Sequence, residues 1–551
     1  MFFRKIFFWI FSCICIALPQ PVPKLVIGIV IDQMRFDYLY RFRNNYSESG
    51  FKRIMNEGSN FTYAHLNYVP TNTAPGHATI YTGTTPFFHG MIGNDWYDRD
   101  SAKHIYCTDD IRFNGLGGTD RMSPLNLMCT TITDQLKLSN NGMSKVIAIS
   151  IKDRGAILPG GKLANAAYWY NSQNGNFMSS SYYMHDLPEW VKEFNSKKLP
   201  EKYSGMEWSL SKPLESYRSS FPDESRLEPD LFEEGRTSFP HSLKNIKEAD
   251  KLEFLKSTPY GNQLLKDFAL AVLDNEKLGQ NTVTDFLTIS FSSTDYIGHR
   301  YGPNSVEIQD TYIKLDEQIG DLLKILDDKI GKGNYLLFLT ADHGVSEIPD
   351  LVNSKVNKTT SSRSITKFAK DFLLTNYGTD KIFSDFSNKQ IFLNNNLISE
   401  MKLNSADIRS KLAQQIRKNF NSVLLIFTKD DFVGRIPDRN ENNFLLNGFN
   451  PIRSGDILIE LNPESYFNLG GMDRTTHGTG YSYDTHVPLL FYGWNIPANE
   501  INDPVFTTDI APTISNLLKI TEPSGCIGKP IIKLNSNFDN MIADFSISLY
   551  Y

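Results

Sequence analysis

Aspartate and histidine side chains recur beside short apolar runs of this 551-residue chain. Carboxylate oxygens and neutral imidazole nitrogens are ligands that Zn²⁺ prefers, so six such residues at four places predict a metal centre. Asp295 and His299 are four residues apart, so one helical turn aims both at one ion. Taken singly, each has an ordinary explanation, such as a turn for Asp342 or a helix cap for Asp295. The six candidate ligands are Asp32, Asp295, His299, Asp342, His343 and His477.

A threonine-rich segment supplies a candidate nucleophile, Thr73. A hydroxyl is a poor nucleophile at neutral pH, but a bound metal lowers its pKa. A helix predicted to start near Ala74 would also direct backbone N–H groups at an incoming anion. Helix capping alone explains Thr73 and the rival hydroxyls of Thr71 and Thr79 equally well. Taken by itself, the segment therefore favours the structural interpretation, a capped helix, over the catalytic one.

The elements that must position these residues are strands and helices in alternation. Continuous apolar runs are typical of strands covered on both faces, and Val306–Asp327 has helical spacing. This order predicts an α/β fold with a central, mainly parallel sheet flanked by helices, whose functional residues gather at the carboxyl ends of the strands. Two stretches, about 165–280 and 345–470, interrupt this alternation of strands and helices and are predicted insertions. The predicted strands are Leu25–Ile31, Lys145–Ile151, Asp285–Phe291, Tyr335–Leu339 and Val487–Tyr492.

Taken together, the motifs of this chain resemble the alkaline phosphatase superfamily. They occur in the family's order: Asp32, Thr73–His77, Gly93–Asp98, Lys152–Arg154, Ser293–His299, Ala341–Gly344 and Thr475–His477. The set is similar to the periplasmic, phosphate-irrepressible bacterial alkaline phosphatases, which use threonine rather than serine. The resemblance covers nearly all of the chain after residue 19 and implies an alkaline phosphatase-like fold.

The resemblance also implies a role for each matching residue, with two zinc ions per chain. The residues implied to hold one zinc are Asp32, Thr73, Asp342 and His343. The residues implied to hold the other are Asp295, His299 and His477. The residues implied to contact the phosphoryl oxygens are Asn94, Lys152 and Arg154.

One histidine and one short stretch near these motifs do not follow the family pattern directly. His486 directly precedes Val487 and competes with His477 as a ligand, but His477, which is followed by glycine, fits the family pattern better. The stretch Val345–Pro349 departs from the pattern and leaves the preference for the leaving group open.

The implied activity is hydrolysis of small phosphate monoesters in two steps through a phosphothreonine at Thr73. A phosphodiesterase or nucleotide pyrophosphatase on the same scaffold is the alternative, but Lys152 and Arg154 favour a dianionic monoester. A sulfatase is disfavoured because position 73 is threonine and position 77 is histidine, so the formylglycine precursor is missing. A non-enzymatic surface binding protein would require all six candidate ligands to be structural.

The composition and the first residues of the chain predict its partners and its location. Its net charge is −6 and 21% of its residues are charged, so no nucleic-acid partner is expected. Arg4 and Lys5 precede a short apolar run, which predicts a signal peptide over 1–19 and export to the periplasm or beyond, with no membrane span in the mature chain. The catalytic domain is predicted over 20–535, as a monomer, with a tail over 536–551. Whether Cys107 and Cys129 form a disulfide is left open.

Overall fold

The computed structural model describes residues 22–349, 361–439, 443–467 and 471–534. The predicted signal peptide and the predicted C-terminal tail lie outside these ranges. Among the helices of these ranges, none combines the length and apolarity needed to cross a membrane.

Within the described residues, ten strands form the main sheet, and its five central strands are parallel. These central strands, in spatial order, are Tyr335–Thr340, Leu25–Ile31, Asp285–Phe291, Val146–Ser150 and Ala166–Asn171. On one side the sheet continues through Leu489–Gly493, Ser59–Phe61 and Asn499–Ile501, and on the other through Asn176–Ser180 and Gly115–Leu116. The strands next to the parallel centre run antiparallel to it. The predicted α/β fold with a mainly parallel central sheet is confirmed.

The predicted strands differ from the observed ones only at their ends. The last begins at Leu489 rather than Val487, because the intervening Pro488 has no N–H to donate to a ladder. The predicted helix continues to Lys329 and is capped at its start by the Ser305 hydroxyl, which accepts from the Ile308 N–H.

Both faces of the sheet are covered because alternate side chains of each strand point to opposite sides. Leu25, Ile27 and Ile29 belong to a core shared with the helices Pro259–Asn275 and Val306–Lys329. Val26 and Val30 belong to the opposite core, with the helices Thr73–Thr82, Ile132–Ser139 and Ile510–Leu518. Gly28 is required by close packing, since a Cβ there would lie 2.3 Å from the Tyr81 hydroxyl oxygen.

A second sheet of four strands lies in the predicted second insertion. Its spatial order is Phe383–Ser387, Gln390–Leu393, Ile457–Leu461 and Val423–Thr428, all antiparallel. It packs with the helices Ser362–Tyr377 and Ser405–Asn419 around its own apolar core. The first predicted insertion, by contrast, begins inside the main sheet with the strand Ala166–Asn171, whose side chains are all buried.

The remaining α-helices of the described residues are mostly short. They are Tyr38–Arg41, Phe51–Glu57, Pro86–His89, Asp153–Gly160, Glu189–Ser196, Leu199–Ser204, Lys251–Phe254, Ser293–Tyr301, Asn395–Glu400, Phe444–Gly448 and Ser482–Thr485. Cys107 and Cys129 are both buried free thiols.

Candidate active site

The six predicted ligands form two groups of three at the carboxyl edge of the central strands. Asp32 directly follows the strand Leu25–Ile31, and Asp295 lies in the first turn of the helix after Asp285–Phe291. Because these strands are parallel neighbours, their ends deliver side chains to one place. In each group the three ligating atoms lie within 4.8 Å of one another. The groups are Asp32, Asp342 and His343, and Asp295, His299 and His477.

All three histidines are held in the orientation that a metal ligand needs. Each Nδ1–H donates to a backbone carbonyl: His299 to Thr475 (2.9 Å), His477 to Thr71 (2.7 Å) and His343 to Gly344 (2.9 Å). The proton on Nδ1 leaves the lone pair on Nε2 to bind an ion, which is how proteins orient metal-binding imidazoles.

The Asp32 group contains three buried atoms that have no hydrogen-bond partner, namely Asp32 Oδ1, Asp342 Oδ2 and His343 Nε2. His343 Nε2 lies 3.5 Å from Asp32 Oδ1 and 3.6 Å from Asp342 Oδ2. Leaving such atoms unpartnered in a protein interior is costly, whereas a cation would satisfy all three. Two carboxylates and one imidazole are a donor set that fits Zn²⁺.

Lys152 links the two groups. Its Nζ lies 2.7 Å from Asp32 Oδ2 and 2.6 Å from Asp295 Oδ2, and its side chain is only 3% exposed. Burial, together with repulsion from Asp342, raises the pKa of Asp32 to about 8 despite this lysine. Burial acts in the same direction on Asp295, but Lys152 and His299 outweigh it and hold the pKa of Asp295 well below its usual range. The two groups hold three carboxylates, and Lys152 pairs with only two of them, so further cations would neutralise the remaining charge.

Thr73 is the first residue of the helix Thr73–Thr82 and is 1% exposed. This helix start rests directly on the Asp32 group, because a Cβ at Gly76 would lie 2.5 Å from the Asp342 carbonyl oxygen. His77 Nδ1 donates to the Thr73 carbonyl at 2.9 Å and lies 3.3 Å from Asp342 Oδ2. The helix start that carries the nucleophile candidate therefore lies beside one ligand group.

The predicted phosphoryl-binding residues approach from two other segments. Asn94 Oδ1 accepts the Ala74 N–H at 2.9 Å, which places its amide against the first turn of the Thr73 helix. Arg154 donates from Nη1 to the Tyr106 hydroxyl at 2.9 Å, and that hydroxyl donates to Asp153 Oδ1 at 2.7 Å.

Three site residues had no role in the sequence-based prediction. Gln33 donates through Nε2 to Asp295 Oδ1 (2.6 Å) and through its backbone N–H to Asp342 Oδ1 (3.2 Å), with a left-handed φ of 63°. The others are His77 and Tyr106. The position of Gln33 directly after Asp32 was the one signal that pointed to it, whereas Tyr106 had none.

His486 lies outside both ligand groups. Its ring stacks on His65 with centroids 4.5 Å apart, and its Nε2–H donates to the Thr62 carbonyl at 2.9 Å. Ser346, in the stretch that departs from the family pattern, bonds through its hydroxyl to that of Thr475 at 3.0 Å. That stretch therefore braces the segment that leads to His477.

Most of the chain matches the sequence model of a known protein family. A sequence model described as type I phosphodiesterase/nucleotide pyrophosphatase matches residues 26–482. The chain belongs to this family, within the alkaline phosphatase superfamily that its motifs resemble.

Particular relatives share almost the whole chain. Alkaline phosphatase PafA of Elizabethkingia meningoseptica is 40% identical over 522 residues, which are 93% of this chain and 95% of the relative. Alkaline phosphatase PhoV of Synechococcus elongatus is 42% identical over 527 residues, 94% of each. The crystal structure of wild-type alkaline phosphatase PafA matches with a TM-score of 0.88 and 40% identity, covering 93% of this chain and 99% of that one.

Proposed function

We propose that this chain is an alkaline phosphatase that hydrolyses phosphate monoesters, with two zinc ions and Thr73 as its nucleophile. The observation that carries the proposal is the pair of three-residue ligand groups flanking Lys152, with Thr73 beside one of them. Relatives named alkaline phosphatases, at 40% and 42% identity, support the same activity.

We assign each residue a role that its position supports. Zinc ions held by the two groups would lower the pKa of the nucleophile and offset charge on the attacking and leaving oxygens. Thr73 attacks phosphorus and becomes phosphorylated, the alcohol departs, and water then releases phosphate from the threonine. Asn94, Lys152 and Arg154 neutralise or hydrogen-bond the remaining phosphoryl oxygens, which carry the developing charge.

The second candidate is hydrolysis of phosphodiesters, which the description of the family favours. The two substrate classes differ by one negative charge on the phosphoryl group. Lys152 and Arg154 supply two cations, and a dianionic monoester uses them more fully than a monoanionic diester. The cation pair therefore favours the monoesterase over the diesterase.

The decisive experiment compares the rates of a phosphate monoester, a diester and a sulfate ester on the zinc-loaded enzyme. We expect kcat/KM to be greatest for the monoester and elemental analysis to give two zinc ions per chain. A faster diester reaction would favour the second candidate. One metal or none in the active protein would contradict the two-zinc site.

Residues 1–19 complete the proposal as a signal for export to the periplasm, with the mature catalytic chain acting as a monomer. N-terminal sequencing of the exported protein and its mass in solution test these two points. An intact N-terminus or a stable oligomer would contradict them.

A further inference from the structure

A cavity of about 320 Å³ opens beside the Asp295 group. One of its walls belongs to the site itself, through Asn72, Thr476 and His477. A second wall belongs to the second sheet and its neighbouring loop, through Phe386, Tyr466 and Phe467 among others. The volume lies within the range of pockets that bind small organic molecules.

The second wall presents aromatic rings. The rings of Phe386 and Phe467 meet edge to face with centroids 5.1 Å apart, and both are partly exposed. Aromatic rings placed this way offer faces and edges to a further ring, because quadrupoles favour offset and edge-to-face contacts. The wall is therefore suited to a planar aromatic group.

The cation on this wall is already neutralised. Lys389 Nζ lies 3.1 Å from both carboxylate oxygens of Glu460 and donates to the Gly478 carbonyl at 2.7 Å. The side chain of Glu460 is 1% exposed, so the two charges compensate each other in a buried pair. The cavity is for this reason better matched to a neutral ring than to additional phosphate groups.

The location of the cavity fixes which part of a substrate would enter it. The helix that begins at Thr73 packs on Asp342 through Gly76, and the cavity contacts His477 of the other group as well as Asn72. In an in-line displacement the leaving group departs on the side opposite the nucleophile. Because the proposed function puts Thr73 on the zinc of the Asp32 group, the zinc of the Asp295 group would face the departing alcohol, and the cavity lies beside that second group.

We propose that this cavity binds the leaving group of the substrate and selects alcohols that carry a neutral aromatic ring, such as aryl alcohols. The proposal rests on the phosphomonoesterase function and adds a substrate class to it. Phe386 and Phe467 are the residues that determine this preference.

The test measures kcat/KM of the zinc-loaded full chain for phenyl phosphate and methyl phosphate, in wild type and in Phe386→Ala and Phe467→Ala. Comparing each variant with wild type on the same substrate cancels the different intrinsic reactivities of the two esters. We expect a loss of about threefold to tenfold on phenyl phosphate, the size of one aromatic contact, with little change on methyl phosphate. Phe221→Ala, at an exposed phenylalanine outside the cavity, is the matched control and should change neither rate.

Equal losses on both substrates, or no loss on phenyl phosphate, would overturn the proposal while leaving the phosphatase activity in place. Phe386→Leu preserves apolar volume without the ring and should give the same selective loss if the alanine variant does not fold. Failure of the zinc-loaded wild type to hydrolyse either ester would instead reject the proposed function itself.

Discussion

The substitution Arg154→Ala distinguishes a monoester site from a diester site more clearly than a substitution of Lys152 would. Lys152 pairs with carboxylates of both ligand groups, so its loss would also disturb metal binding. Arg154 instead donates to the Tyr106 hydroxyl at 2.9 Å and lies 3.8 Å from Asp153 Oδ1. Its removal takes a cation from the pocket without unpairing a predicted ligand.

The size of the expected effect follows from what Arg154 touches. Removing one preorganised group that stabilises developing charge costs on the order of 10²–10³ in rate. We expect that loss on a dianionic monoester and about tenfold or less on a monoanionic diester. Tyr106→Phe keeps the guanidinium but removes the hydroxyl that accepts from Arg154 and donates to Asp153. The lost hydrogen bond to Arg154 is worth about 1 kcal/mol, so the loss in rate should be roughly fivefold.

The assay uses substrates that share one leaving group, phenyl phosphate and methyl phenyl phosphate, at several zinc concentrations. Zinc content measured in parallel should stay the same in both variants, since neither Arg154 nor Tyr106 belongs to a ligand group. Equal fold losses on monoester and diester would refute the reasoning, because the additional charge of the monoester would then have no partner in Arg154.

Three further predictions concern other parts of the site and the fold. Thr73→Ala should abolish the phosphothreonine found by acid quench and peptide mass spectrometry, and Thr73→Ser should keep part of the activity; phosphate on another threonine would contradict the assignment. Lys389→Met should weaken zinc binding about tenfold in a chelator competition, because it frees the Gly478 carbonyl next to a ligand, whereas the exposed Lys411→Met should not. Burial, followed by repulsion from neighbouring carboxylates, raises the pKa of Glu228 to about 10, so the native state holds this proton more tightly than the unfolded chain. Stability should therefore fall as pH rises from about 4.5 to about 10, by at most about 1.4 kcal/mol per pH unit, and Glu228→Gln should flatten the curve of melting temperature against pH; parallel curves would contradict it.

From the sequence alone it was possible to predict the six candidate ligands and five of the ten strands that the main sheet has within the described residues. Continuous apolar runs locate strands because a strand covered on both faces must be apolar throughout, and Asp32 and Asp342 follow such runs. Asp295 and His299 could be paired because a helix brings residues four apart together. Family motifs then supplied the expectation that His477, far away in sequence, joins them.

The contacts by which distant segments support that site could be read only from the folded structure. Tyr106 meets Arg154 across 48 positions, and Lys389 reaches Gly478 across 89. No periodicity encodes such contacts, because they depend on which strands become neighbours and on where loops of different lengths return. The same reason explains why the first predicted insertion begins too early. The strand Ala166–Asn171 pairs with Val146–Ser150 and so belongs to the main sheet, but the polar residues on either side of it hide this strand in the sequence.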